Sequence, residues 1–224
     1  MKNSFIYEST AGPVELDGAK IAFLPSSRTL LVADLHFEKG SYLQMVGNAS
    51  LPAYDTVETL DRLQKIIEIY DPDHVVALGD SFHDSEADKR IAQTDIDSLN
   101  TLIKNLARFT WILGNHDPDI PRLLNGAQED HLEIDGFLLT HLPVEPDLGQ
   151  TNICGHLHPK ARISMRRRRM SYPCHACSDG RIILPSFGAY TGGLYVDHDA
   201  IDSVLGGKRV YALTTRNGIY AVRA

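Results

Sequence analysis

Three short apolar runs, at residues 29–33, 74–78 and 109–113, alternate with two longer segments whose apolar residues recur at helical spacing. In residues 54–70 they stand at 57, 60, 63, 66, 67 and 70; in residues 88–107, Ile91, Ile96, Leu99, Leu102, Ile103 and Leu106 share one face. This order of strand, helix, strand, helix, strand predicts a buried, mainly parallel sheet covered by helices, because parallel neighbours need a crossover and a helix supplies it.

The flanks read differently. Residues 5–8, 14–16 and 21–24 are short strands punctuated by Gly12-Pro13, Asp17-Gly18 and Pro25, an antiparallel opening. Past residue 130 hairpin signals crowd together: Asp135-Gly136 splits 131–134 from 137–140, Asp179-Gly180 precedes 181–184, and Asn217-Gly218 splits 210–215 from 219–222. These predict a second, largely antiparallel sheet packed on the first, a layered α/β sandwich forming one domain over residues 1–224.

With 224 residues, 43% of them hydrophobic, the chain can bury a full core. No run reaches the roughly 18 apolar residues of a membrane span, and residues 1–5 show no charged-then-apolar leader, so the expected location is cytoplasmic, away from membranes. The net charge of −7 argues against a general nucleic-acid coat protein, although local patches weigh more than the sum. Three cysteines, Cys154, Cys174 and Cys177, suit a reducing compartment better than a disulfide framework. Cys174 and Cys177 have the spacing of half a zinc site, but the sequence holds no second pair to complete it, which favours a structural role.

The polar residues at the ends of the predicted strands form a set. Asp34 and His36 come after 29–33, Asp80 after 74–78, Asn115 and His116 after 109–113, His141 after 137–140, and His156 and His158 after 151–154. In open α/β sheets functional groups gather at the carboxyl ends of strands, so five strand ends delivering carboxylate, imidazole and amide oxygen to one rim predict a binuclear metal site. Mixed Asp, His and Asn donors without thiolate suit manganese, iron or zinc and are too rich in nitrogen for a pure magnesium or calcium site. Two divalent ions are therefore expected, with Mn2+ the first choice.

Asp34-x-His36, Gly79-Asp80, Gly114-Asn115-His116-Asp117, His141 and Gly155-His156-x-His158 together resemble the signature of the calcineurin-like metallophosphoesterase superfamily. A narrower resemblance, carried by 34–40, 79–84, 155–159 and 184–193, is to the bacterial ligase-associated DNA damage response endonucleases. Residues 174–177 lie outside that pattern. The resemblance implies a four-layer αββα arrangement of two mixed β-sheets flanked by helices, and DNA ligase and helicase partners. It also implies that Asp34, His36, Asp80 and His158 hold one metal while Asp80, Asn115, His141 and His156 hold the other. Asp80 would bridge, since the two oxygens of a carboxylate can span cations about 3.5–4 Å apart. The mechanism expected of such a pair is in-line attack by a hydroxide bridging the metals.

That scheme leaves His116 free to protonate the leaving oxygen or to stabilise charge on the phosphoryl group, with Asp117 orienting its ring as the second catalytic residue. His83 and Asp84 come soon enough after Asp80 to reach the rim, or else belong to a loop that caps the next helix. In the run 166–169 at most two arginines can face one ligand if it is a strand, which makes Arg166 and Arg168 candidates for phosphate contact against the plainer reading of a solvated charge run. In the loop 184–193, Phe187 and Tyr190 are candidates for stacking on a base, the alternative being ordinary core aromatics. His74, His131, His175 and His198 have no such constellation and are expected to be structural.

The expected activity is therefore a binuclear metal-dependent phosphodiesterase or endonuclease on DNA, in DNA repair. The alternatives are a phosphoesterase of small nucleotides or phosphomonoesters, and a non-catalytic scaffold. A scaffold has no use for a full ligand set.

Overall fold

The computed structural model describes residues 3–47, 54–165, 168–216 and 218–223, and of Met165 and Arg168 the backbone alone. The first sheet contains β1 (Ser4–Ser9), β2 (Gly12–Asp17), β3 (Ile21–Leu24), β4 (Thr29–Val32), β5 (His74–Leu78), β6 (Arg108–Ile112) and β7 (Ala127–Glu129), side by side in that order. β1 to β4 are antiparallel and β4 to β7 parallel, so the sheet is mixed. Helices α1 (Lys39–Met45) and α2 (Asp55–Tyr70) fall between β4 and β5, and α3 (Gln93–Lys104) between β5 and β6.

The second sheet contains β8 (His131–Ile134), β9 (Phe137–Thr140), β10 (Thr151–Cys154), β12 (Arg168–Ser178), β13 (Arg181–Ile183), β14 (Val210–Thr215) and β15 (Gly218–Arg223), ordered β15-β14-β12-β13-β10-β9-β8. β11 (Lys160–Met165) lies off that path, paired to β12 as a hairpin. Among the described strands of this second sheet, only β13/β10 and β10/β9 pair parallel.

Alternation along the strands sorts the core into layers. Val75, Ala77, Phe109 and Trp111 of the first sheet meet Leu60, Leu63 and Ile66 of α2 and Ile96, Leu99 and Ile103 of α3. Each Val, Leu, Ile or Phe among them contributes about 1.5–3 kcal/mol when fully buried. The opposite face, with Leu31, Val76, Leu78 and Ile112, packs on Phe137, Leu139, Ile153, Cys177 and Ile182 of the second sheet. With both faces covered, β4 and β5 are buried throughout, which is why they read as unbroken apolar runs. The outer face of the second sheet is covered by α4 (Asp199–Asp202), which contributes Ile201, by Leu205 and by the β11–β12 hairpin. The four layers are thus present, with the last one thin.

Two local differences have simple causes. α3 starts at Gln93 rather than near residue 88, because Ala92 is extended and residues 87–89 form a separate 3-10 turn. α1 is seven residues long, too short to show a period. Cys174 and Cys177 are three apart on β12 and so face opposite sides, one in the outer cluster and one between the sheets. They cannot share a metal, and burial pushes both thiols up in pKa. All three cysteines are buried and free. A thiol reagent should therefore label no cysteine in the folded protein and all three in denaturant; rapid labelling of native protein would contradict this packing.

Candidate metal centre

β4, β5 and β6 run parallel and adjacent in the first sheet, and β9 and β10 in the second, so their carboxyl ends share one edge of the sandwich. The chain turns sharply as each strand ends. Asp34, His36, Asp80, His156 and His158 all adopt left-handed backbone, with φ of 55°, 46°, 46°, 68° and 44°. Such residues cost about 1–3 kcal/mol each where they are not glycine, and five together are the mark of a functional rim.

The loops bind each other through the carboxylates. Asp34 Oδ1 and Oδ2 accept from the backbone N–H of His156 at 3.1 and 3.0 Å, tying β4 to β10 across the two sheets. Asp80 Oδ1 accepts from the N–H of His116 at 2.9 Å. Gly114 permits that approach, because a Cβ there would lie 2.2 Å from Asp80 N and 2.4 Å from its Oδ1.

Two groups of ligand atoms result. Asp34, His36 and His158 form the first, with His158 Nε2 3.2 Å from Asp34 Oδ1 but without hydrogen-bond geometry. Both ring nitrogens of buried His36 lack a protein partner. Burial, then His158, pushes this ring down to about 2, so it is neutral and offers a lone pair. Asp80, His141 and His156 form the second.

His141 Nδ1 lies 3.1 Å from Leu78 O, which can only accept, so Nδ1 carries the proton. In the neutral ring Nε2 then points a lone pair to where Asn115 Oδ1 (2.9 Å), Asp80 Oδ1 (3.3 Å) and His156 Nδ1 (3.2 Å) also converge. Oxygen and nitrogen lone pairs gathered this closely call for a cation between them. Burial alone would raise the Asp80 carboxyl and lower the His141 ring, but their mutual attraction reverses both shifts. The residues therefore fit two divalent ions.

Residues 27–171 match the model of the calcineurin-like phosphoesterase family. The chain belongs to that family. It is consequently a hydrolase, and divalent metals are the family's cofactors. A search of curated protein sequences returns no match. Among solved structures this phosphoesterase is similar to the nuclease MPE of Pseudomonas putida, with 26% identity, a TM-score of 0.76, and coverage of 98% of this chain and 100% of that one. It also matches YfcE, a phosphoesterase from E. coli, at 14% identity and a TM-score of 0.45 over 87% of this chain and 97% of that one.

Around the centre the structure sorts the remaining candidates. The His116 side chain is 45% exposed, with Nε2 3.9 Å from Asp80 Oδ2, outside both ligand groups and on the rim. Its ring stacks on His83, centroids 5.7 Å apart, and His83 meets Tyr42 edge-on at 4.7 Å. Burial, then Lys39 and His116, lowers His83 to about 4.

Asp117 does not orient His116. Its buried carboxylate accepts from the backbone N–H of Ser81 (2.7 Å), Phe82 (3.1 Å) and Gly114 (3.2 Å), clamping the β5 and β6 loops together. Burial pushes this carboxyl up to about 7 against the pull of the Phe82 and Ser81 N–H groups. Asp84 is turned from the rim into a two-pronged ion pair with Arg90, at 3.2 and 2.5 Å.

Phe187 is fully buried in the helix-side core and cannot stack on a base. Tyr190 is 40% exposed on the same loop. Arg166 lies outside the described residues; the backbone of Arg168 pairs with Met165 at the hairpin end. The four remaining histidines are apart from both ligand groups: His74 Nε2 is 2.9 Å from Thr110 Oγ1, His175 Nε2 is 3.0 Å from Ile21 O, His198 caps α4, and His131 is exposed on β8.

Sequence reasoning passed over Lys39. Burial lowers the pKa of this residue at the start of α1, and attraction by the carboxylates of Asp34, Asp55 and Asp80 opposes that shift. α1 is fixed by buried carboxylates, since Asp55 Oδ2 accepts from Gly40 N at 2.9 Å and Glu38 Oε1 from Thr56 Oγ1 at 2.9 Å. The signal was a lysine within six residues of the first ligand, Asp34.

The Asp117 geometry is testable. Asp117→Ala strands three backbone donors at about 1–3 kcal/mol each. Urea denaturation should show a loss of about 3 kcal/mol or more; a stability within about 0.5 kcal/mol of wild type would show that the clamp carries no weight.

Proposed function

We propose that the protein hydrolyses phosphodiester bonds of DNA, in DNA repair, using two Mn2+ ions. Asp34, His36 and His158 would hold one ion and Asn115, His141 and His156 the other, with Asp80 between the two groups. The observation that carries the metal reading is the convergence of lone pairs on His141 Nε2 after Leu78 O has fixed its tautomer. Bound there, the ions supply Lewis acidity to the phosphate oxygens and bring a water's pKa close to neutral.

The chain's own residues do the rest. Asp34 and Asp80 hold the two groups of donors at one spacing through the N–H bonds that fix each carboxylate. His116, exposed on the rim and outside the ligand set, holds a proton at Nε2 for the leaving oxygen, and the His83 ring stacked on it limits its rotation.

The DNA reading is supported by similarity over almost the whole chain to a structure described as a nuclease, and by the resemblance to ligase-associated endonucleases. On that resemblance the partners are a DNA ligase and a helicase. One observation favours small nucleotides instead. An open cavity of about 710 Å³ adjoins Asn115 and His141, large enough for a nucleoside, and is rimmed by Asp130, Glu133 and Glu145, which repel a chain of phosphates.

The deciding experiment compares Mn2+-dependent hydrolysis of single-stranded DNA, a chromogenic phosphodiester and mononucleotides by wild type and Asn115→Ala. Cleavage of both diesters, lost in the variant, is expected; efficient turnover of monoesters alone would remove the nuclease reading. His116→Asn should lower kcat by about 10²–10⁴-fold with metal content kept. Loss of metal in that variant would show that His116 is a ligand.

A further inference from the structure

The β11–β12 hairpin leaves the sandwich at the metal centre, because β11 begins two residues after His158. Residues 160–178 contain six of the chain's 22 basic residues and none of its 29 acidic ones. In an acidic protein that segregation is local and large.

Register turns it into a surface. Lys160, Arg162 and Ser164 lie opposite Pro173, Ser171 and Arg169, while Ala161 and Ile163 lie opposite Tyr172 and Met170. The second set faces the core, with Ala161 buried and Ile163 and Tyr172 packed against the outer cluster. The first set faces solvent: Arg162, Ser164, Arg169 and Ser171 are exposed and Lys160 half-buried. The hairpin is thus an apolar slab with a basic outer face.

The segment after Gly193 runs beside β11 and steadies this face. Lys160 N donates to Leu194 O at 2.9 Å, and Val196 N donates to Lys160 O at 3.0 Å. The Tyr195 ring lies under two cations, with Arg162 Cζ 3.3 Å and Lys160 Nζ 4.5 Å from its centroid. The ion pair of Arg162 is loose, 4.0 Å from a largely exposed Asp197. Stacking on an aromatic face fixes a guanidinium without neutralising it, which lowers the ordering cost of binding an anion.

We propose that the outer face of β11–β12 is the track along which a nucleic-acid strand runs up to the metal centre, with Lys160, Arg162 and Arg169 contacting its phosphates. At about 3.3 Å per residue the row runs about 13 Å along β11 from Lys160, two residues after His158, to Ser164, which lies opposite Arg169. That span covers several nucleotides on one side of the cut. A mononucleotide or a small diester seated at the metals does not reach it. The inference rests on the nuclease reading above and adds where the rest of the polymer lies.

The test uses the full chain with Mn2+ and the triple variant Lys160→Ala, Arg162→Ala, Arg169→Ala. Hydrolysis of bis(p-nitrophenyl) phosphate is measured beside binding and cleavage of a fluorescent oligonucleotide, single-stranded and duplex, from 50 to 200 mM salt. The track predicts diester kcat/KM within twofold of wild type. It predicts oligonucleotide KM raised tenfold or more, and a log–log salt slope for single-strand binding that is shallower by roughly 2, at about 0.7 per lost phosphate contact. If wild type cleaves the oligonucleotide and the variant matches it in KM and slope, the track is wrong and the nuclease reading stands. If wild type hydrolyses the diester and neither binds nor cleaves the oligonucleotide, both fall. Should the triple variant fail to fold, Arg169→Glu, a single exposed change, carries the same comparison.

Discussion

Two carboxylates hold this structure and its chemistry together. Asp34 and Asp80 are buried at the edge where the two sheets meet, 0% and 2% exposed, and each is gripped by the backbone of a loop from another strand. Burying like charges near one another is expensive unless positive charge and N–H donors surround them. Here the donors come from His116 and His156, His141 supplies attraction to Asp80, and cations bound at the centre would supply the rest of the positive charge. The energy that closes the sandwich at this edge is therefore bound up with the site's readiness to take cations.

The left-handed residues arise from the same constraint. A strand that ran on in extended conformation would carry its next side chain past the rim, so the chain bends back at Asp34, Asp80 and His156 at the cost of strain. Asp117 shows how that strain is held. Its carboxylate, bonded to three amides of the β5 and β6 loops, fixes the backbone that presents Asp80 and Asn115. The apolar layers on either side of the first sheet supply the stability against which these costs are set.

The residues gathered at the rim were legible because each comes after an apolar strand, and polar groups there have few structural uses. His36, His141 and His158 came from that pattern alone. The roles of Asp117, Asp84 and Phe187 were not legible, because each depends on a partner distant in sequence or on burial: Asp117 on Ser81 and Phe82, Phe187 on the helix-side core. Arg90, six residues from Asp84, could have suggested that ion pair. The second sheet was visible through its Asp-Gly and Asn-Gly turns, whereas α1 was too short for its period to show. The basic outer face of β11–β12 could not be read from the arginine run, since it depends on cross-strand register with β11. The separation of Cys174 from Cys177 was implicit in their odd spacing once they lay on one strand.

The central claim is that two groups of side chains, joined by Asp80, hold two cations. Anomalous diffraction at the manganese edge from crystals grown with Mn2+ measures this directly. The account predicts two peaks about 3.5–4 Å apart, one among Asp34, His36 and His158 and one among Asn115, His141 and His156, with Asp80 touching both. A single peak, or a metal held away from these residues, would contradict it.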